Sequence, residues 1–140
     1  MSGKTTLLST SAAAVLLLAG CGSGDERDAE PDPGPGQTKL SIAYRATPNA
    51  DPVIERIDCS KGRDGRACRA AGAVPARAWQ PVPAGTACTE IYGGPQTARV
   101  YGTIDGRGID ADFSRVNGCE IERWDSVSPL LEATGATAAG

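Results

Sequence analysis

"TARVYGTIDGRGIDADFS", residues 97–114, decides the fold of this chain. Two runs of alternating apolar and polar residues, 97–104 and 108–114, lie on either side of Asp-Gly-Arg. Asp-Gly between alternating runs is a strong hairpin signal, because both residues tolerate positive φ. A period of two puts Ala98, Val100 and Ile104 on one face, with Ile109, Ala111 and Phe113 opposite them. The acids of "DGRGIDAD" (105–112) alternate as well, which fits solvent-facing strand positions beside a turn rather than a catalytic acid pair.

Upstream, "KLSIAY" (39–44) alternates Leu40, Ile42 and Tyr44 and reads as a strand with one buried face. "TPNADP" is a loop, and a second strand over 53–59 carries Val53, Ile57 and Cys59 on one side. "KGRDG" is a polar turn, and "RACRAAGA" has the makings of one or two helical turns ending near Gly72. Four residues between Val74 and Gly85 are Pro or Gly, so that stretch is expected to cross the domain without regular structure. Downstream, "EIERWDSVSPLL" (120–131) is expected to start as a helix, with Ile121, Trp124 and Val127 at roughly helical spacing. The expected fold class is α+β: an antiparallel sheet with one or two short helices and two disulfides.

The first residues of the chain point to export. Lys4 precedes "LLSTSAAAVLLL", a run too short to span a bilayer comfortably, and small residues follow in "LAGC" (18–21). That pattern reads as a signal peptide over 1–20, and it resembles a bacterial lipoprotein box in which Cys21 is lipidated. Residues 21–38 then form an acidic Gly/Pro tether with no large apolar side chain, too poor in apolar surface to offset the entropy of ordering. Five acids (Asp25, Glu26, Asp28, Glu30, Asp32) face Arg27 there, which leaves twelve acids and twelve bases from residue 39 onward. A neutral domain with interspersed charges argues against a nucleic-acid surface. All six aromatics lie in this part, so the packed unit is expected over about 39–131 of a domain spanning 39–140, with "EATGATAAG" frayed. The expected location is extracellular or at the cell surface, lipid-anchored.

Beyond Cys21 the chain has four cysteines, Cys59, Cys68, Cys88 and Cys119. An even number in a small exported domain reads as two disulfides. Three pairings are open, and local spacing favours the sequential one. The chain contains no histidine and no C-x₂-C spacing, so neither a zinc site nor an imidazole-based triad is expected. No cofactor is implied, and the chain does not read as an enzyme.

"ACTEIYGGPQ" (87–96) shows Ile91 and Tyr92 beside Cys88. Spacing alone leaves two readings: the start of the next strand, or a loop displayed to a partner. The ordered set "IDC", "RAC", "ACTEIYGGP", "VYGTIDGRGIDADFSR" and "NGCEIERW" resembles the subtilisin-inhibitor-like family of secreted actinobacterial serine protease inhibitors. The resemblance runs from Ile57 to Trp124, with the cysteines in the family's order. It implies a loop that enters a protease active site in extended form, with the scissile bond between Glu90 and Ile91. Glu90 would then enter the specificity pocket, with Cys88 and Thr89 before it and Tyr92 after Ile91. A disulfide at Cys88 and Pro95 suit a loop that must be held in its bound shape, and Asn117 is a candidate brace behind it. The resemblance also implies a homodimer through the sheet face.

A carboxylate left unpaired in an apolar or acidic pocket costs about 3–5 kcal/mol, so a glutamate-preferring protease is a more natural partner than a subtilisin-like one. Gly93 and Gly94 are expected to loosen the outgoing limb, and such freedom favours slow cleavage. The alternative reading is therefore a cell-surface binding module that keeps the inhibitor fold without inhibiting.

Overall fold

The alternating stretches build one antiparallel sheet. In the computed structural model, which describes residues 37–60 and 65–139, β1 (Lys39–Arg45), β2 (Val53–Asp58), β3 (Thr97–Ile104) and β4 (Arg107–Phe113) pair in the order β2-β1-β3-β4. Every neighbouring pair is antiparallel. The signal peptide, Cys21, most of the tether and the greater part of the "KGRDG" turn lie outside the described residues.

Register follows the alternation. Ala98 pairs with Phe113 and Val100 with Ala111, while β1 sets Tyr44 against Ala98 and Ile42 against Val100. All six are buried, as is Leu40. The hairpin is one residue tighter than Asp-Gly-Arg implied, because Ile104 pairs directly with Arg107. Asp105 (φ 50°) and Gly106 (φ 78°) form the whole connection. Positive φ at both central residues is the geometry whose twist matches the strands, and it leaves Arg107 free to join the ladder.

Two helices cover the buried face. α1 (Arg66–Ala73) has no side-chain cap. It is held by the buried Ala71 and by the Cys59–Cys68 disulfide, whose Cα atoms are 5.9 Å apart. α2 (Gly118–Thr134) supplies Trp124, Val127, Leu130 and Leu131 to the core. Trp124 sits 6.4 Å from the Tyr44 ring, and Trp79 meets Phe113 edge-on at 5.9 Å. Each fully buried side chain of this size contributes about 1.5–3 kcal/mol.

Three expectations are corrected by packing. The helix expected only at the start of residues 120–131 begins at Gly118 and runs through Pro129 to Thr134. Pro129 has no N–H for the carbonyl of Asp125, and the Ser128 hydroxyl donates to that oxygen instead (3.2 Å). The tail does not fray after Leu131: Gly135 ends α2 at φ 78°, Ala136 is fully buried, and 136–139 form a 3-10 turn. The crossing segment also holds a 3-10 helix, Ala76–Trp79, which delivers Ala78 and Trp79 to the interior.

The described chain joins the sheet beside the hairpin turn. Gly106 N–H donates to the Gln37 carbonyl (3.0 Å), and Asp105 N–H donates to the buried Thr38 hydroxyl (3.2 Å).

Candidate functional site, a braced surface loop

Between the 3-10 helix and β3 the chain has no regular structure over residues 87–96. Pro81 and Pro83 hold its approach extended, and a turn closes it where Thr86 N–H and Oγ1 both reach the Pro83 carbonyl (3.1 and 2.7 Å). Ile91 and Tyr92 do not begin a strand, since β3 starts only at Thr97. Glu90 is exposed, as are Ile91 (60%) and Tyr92 (64%), a large apolar display for consecutive residues.

What holds this segment is distant in sequence. Cys88 is bonded to Cys119, 31 residues on, with Cα atoms 5.4 Å apart; Cys59 is bonded to Cys68, so the sequential pairing is the one formed. Gly118 N–H donates to the Thr89 carbonyl (2.9 Å), and Gly93 N–H donates to the Arg115 carbonyl (2.7 Å). Residues 89–93 therefore run antiparallel to 115–118, fastened at both ends. The bond between Glu90 and Ile91 lies between the two fastenings.

The brace is main chain, and Asn117 serves it indirectly. Its side chain accepts from Glu120 N–H (2.9 Å) as the N-cap of α2, which fixes where Gly118 and Cys119 begin the helix. Glu120 also pairs with Arg123 (2.7 Å), whose guanidinium reaches the Ala78 carbonyl and lies 4.9 Å from the Phe113 ring. The loop's partner segment is thus built into the core.

Close approach sets the glycines. A Cβ on Gly118 would overlap Thr89 Oγ1, and one on Gly93 would stand 2.9 Å from Ile121 Cδ1 and 3.2 Å from Arg115 Cβ. Gly94 has φ 135°, a conformation side chains rarely adopt. The expectation of a loosened limb gives way to one laid against α2, with Gly93 hydrogen-bonded. Composition had marked Gly93 and Gly94 as freedom; geometry uses them for contact. Arg115, Gly118 and Ile121 were not legible as site residues, because nothing in their types announces that a loop more than twenty residues upstream rests on them.

The remaining charged groups lie elsewhere. On the outer sheet face Arg99 and Asp110 form a two-point ion pair (2.9 and 2.8 Å), and the hydrogen bond from Arg99 holds the Asp110 carboxyl below its ordinary value. Asp110 and Asp112 are exposed strand residues, as their alternation implied. A depression of about 500 Å³ on this face is lined by Arg45, Arg99, Tyr101 and both acids, and includes none of residues 86–95. It is the relief around an ion pair rather than part of the loop site. Among the described residues no group of three or more His, Cys, Asp or Glu is placed to hold a metal ion, and no helix is long and apolar enough to cross a membrane. No protein-family model matches the sequence, and no curated protein matches it significantly.

Proposed function

We propose that this protein is a substrate-like inhibitor of a serine endopeptidase, exported and lipid-anchored through Cys21, with Glu90–Ile91 as the scissile bond. The observation that carries the reading is the exposed trio Glu90, Ile91 and Tyr92 between two main-chain fastenings and a disulfide. An extended segment fixed on both sides pays little ordering entropy when a protease cleft closes on it. Thr89 and Cys88 lead into the cleft, Glu90 fills the specificity pocket, and Tyr92 lies on the outgoing side. Glu90 directs the choice of target toward glutamate-preferring enzymes, since the pocket sets this preference in serine proteases.

The test is a titration of a glutamyl endopeptidase, subtilisin and trypsin with the protein, following residual activity and intact mass together. Stoichiometric loss of glutamyl endopeptidase activity, abolished in Glu90→Pro, is the expected result. Full activity of all three enzymes, with the chain untouched or cut steadily after Glu90, would sink the proposal and leave a binding module.

A further inference from the structure

The two main-chain fastenings use groups that any residue has. The side chain of residue 115 is different. From beside the carbonyl that holds Gly93, Arg115 runs beneath the outgoing limb, and its Nη1 donates to Gln96 Oε1 (3.1 Å) just before β3 begins. A Cβ on Gly94 would stand 3.3 Å from the same Nη1, so the backbone of the limb lies close over the guanidinium. The other side of the guanidinium faces the core, 5.8 Å from the centre of the buried Trp124 ring. One half-buried side chain therefore touches the limb near 93, 94 and 96 and ties it to α2.

This placement carries a cost that stability does not explain. Arg115 Nε is buried with no hydrogen-bond partner, and an orphaned buried donor costs about 1–3 kcal/mol. An apolar chain of similar length would fill the space over Trp124 without that cost. What it could not do is reach Gln96.

We propose that Arg115 is the positioning residue of the outgoing limb, and that its side chain determines whether the Glu90–Ile91 bond is kept or given up to a protease. The inference rests on the inhibitor reading of the loop. When the protease serine attacks the Glu90 carbonyl, an acyl ester forms and Ile91 becomes a free amine. Two nucleophiles then compete. If the Ile91 nitrogen attacks the ester, the C–N bond re-forms, the serine C–O bond breaks, and the amine's proton goes to the departing serine oxygen. If water attacks first, Glu90 leaves as a carboxylate and the inhibitor is consumed.

The incoming limb is held next to the reacting bond by the disulfide at Cys88 and by Gly118. Close to the bond, the outgoing limb has the Gly93 hydrogen bond and the contact with Arg115. The competition is therefore decided on the outgoing side. An amine kept in place behaves as a nucleophile of very high effective concentration.

The experiment compares wild type with Arg115→Met, Arg115→Lys and Gln96→Ala. Met keeps the apolar stem over Trp124 and removes both the Gln96 bond and the orphaned Nε; Lys keeps a donor. Three quantities are measured: the unfolding midpoint, amide exchange at Gly93, and the rate at which a glutamyl endopeptidase cuts after Glu90. In Arg115→Met the midpoint should hold or rise, while loop exchange and cleavage each accelerate about tenfold, the equivalent of one hydrogen bond. Arg115→Lys should recover part of both. Gln96→Ala should add nothing to Arg115→Met, because both remove the same bond.

Unchanged loop exchange in Arg115→Met overturns the positioning role whatever the protease does. Faster exchange with unchanged cleavage, in a protein that does inhibit, overturns the link between position and bond retention. If wild type inhibits no protease while Arg115→Met still exchanges faster, the inhibitor reading fails and the positioning of the limb stands.

Discussion

The hairpin turn at Asp105–Gly106 and the loop over residues 89–94 are both surface stretches containing glycine, one beyond each end of β3. They are stabilised in opposite ways. The hairpin turn closes on its own neighbours, with Ile104 paired to Arg107. The loop has no ladder of its own: it borrows an amide from Gly118, a carbonyl from Arg115 and a sulfur from Cys119. Local sequence sets the turn's geometry, through positive φ at Asp105 and Gly106, although their amides donate to Thr38 and Gln37. A loop that stays exposed without a ladder of its own has to be held from behind, by residues far along the chain.

The largest expected effect is on the borrowed side. Replacing Cys88 and Cys119 together by Ala removes a cross-link between residues 31 apart, worth about 3.7 kcal/mol by loop entropy against about 2.7 kcal/mol for Cys59–Cys68. Denaturant unfolding should rank the two double mutants in that order, with amide protection lost at Gly93 and Gly118 only in the first. Equal protection of Gly93 and Gly118 in both would break the contrast.

Gly118→Ala comes next. Its Cβ would overlap Thr89 Oγ1, so a loss of about 1–3 kcal/mol is expected, the range of an overpacked site. The shift changes seen by NMR should be concentrated at 88–93 and absent from the hairpin turn. Gly106→Ala is the converse experiment. At φ 78° an L side chain costs about 1–2 kcal/mol, with the effect confined to β3, β4 and the Gln37–Thr38 contacts and amide exchange at Gly93 unchanged.

The smallest effect belongs to Asp110→Asn. Arg99 lowers the Asp110 pKa from its ordinary 3.8, so the pair's stabilisation is fully present above that value. It is lost as pH falls through the lower folded value. The difference between wild type and Asp110→Asn in thermal melts should be slight at pH 7 and shrink on acidification below about pH 4. A gap that widened in acid would show that the sign of the coupling is wrong. The pair is solvent-exposed, so salt should narrow the gap too.

The same contrast explains how much was legible in the sequence. Leu40, Ile42, Tyr44, Val100 and Phe113 announce their strands by alternation, because one buried face imposes a period of two. Cysteine count implies two disulfides, and local spacing favours, among three open pairings, the one that forms. The full extent of α2 was not legible, because the donor that replaces the Pro129 N–H is a serine hydroxyl, a residue type read more readily as a turn former. Ala136 carries no signal of burial, although it closes the core. The loop was recognisable as a display of Ile91 and Tyr92, yet its support was invisible: an amide, a carbonyl and the reach of Arg115 are matters of tertiary placement.

Gln37 and Thr38 meet the hairpin turn, and β3 separates that turn from the loop by its eight residues, about 23 Å at strand rise. A linker, dye or bead joined ahead of Gln37 therefore attaches at the pole opposite Glu90. Immobilised through that end, the protein would leave the loop end of β3 unobstructed, with no need to choose an attachment site by trial.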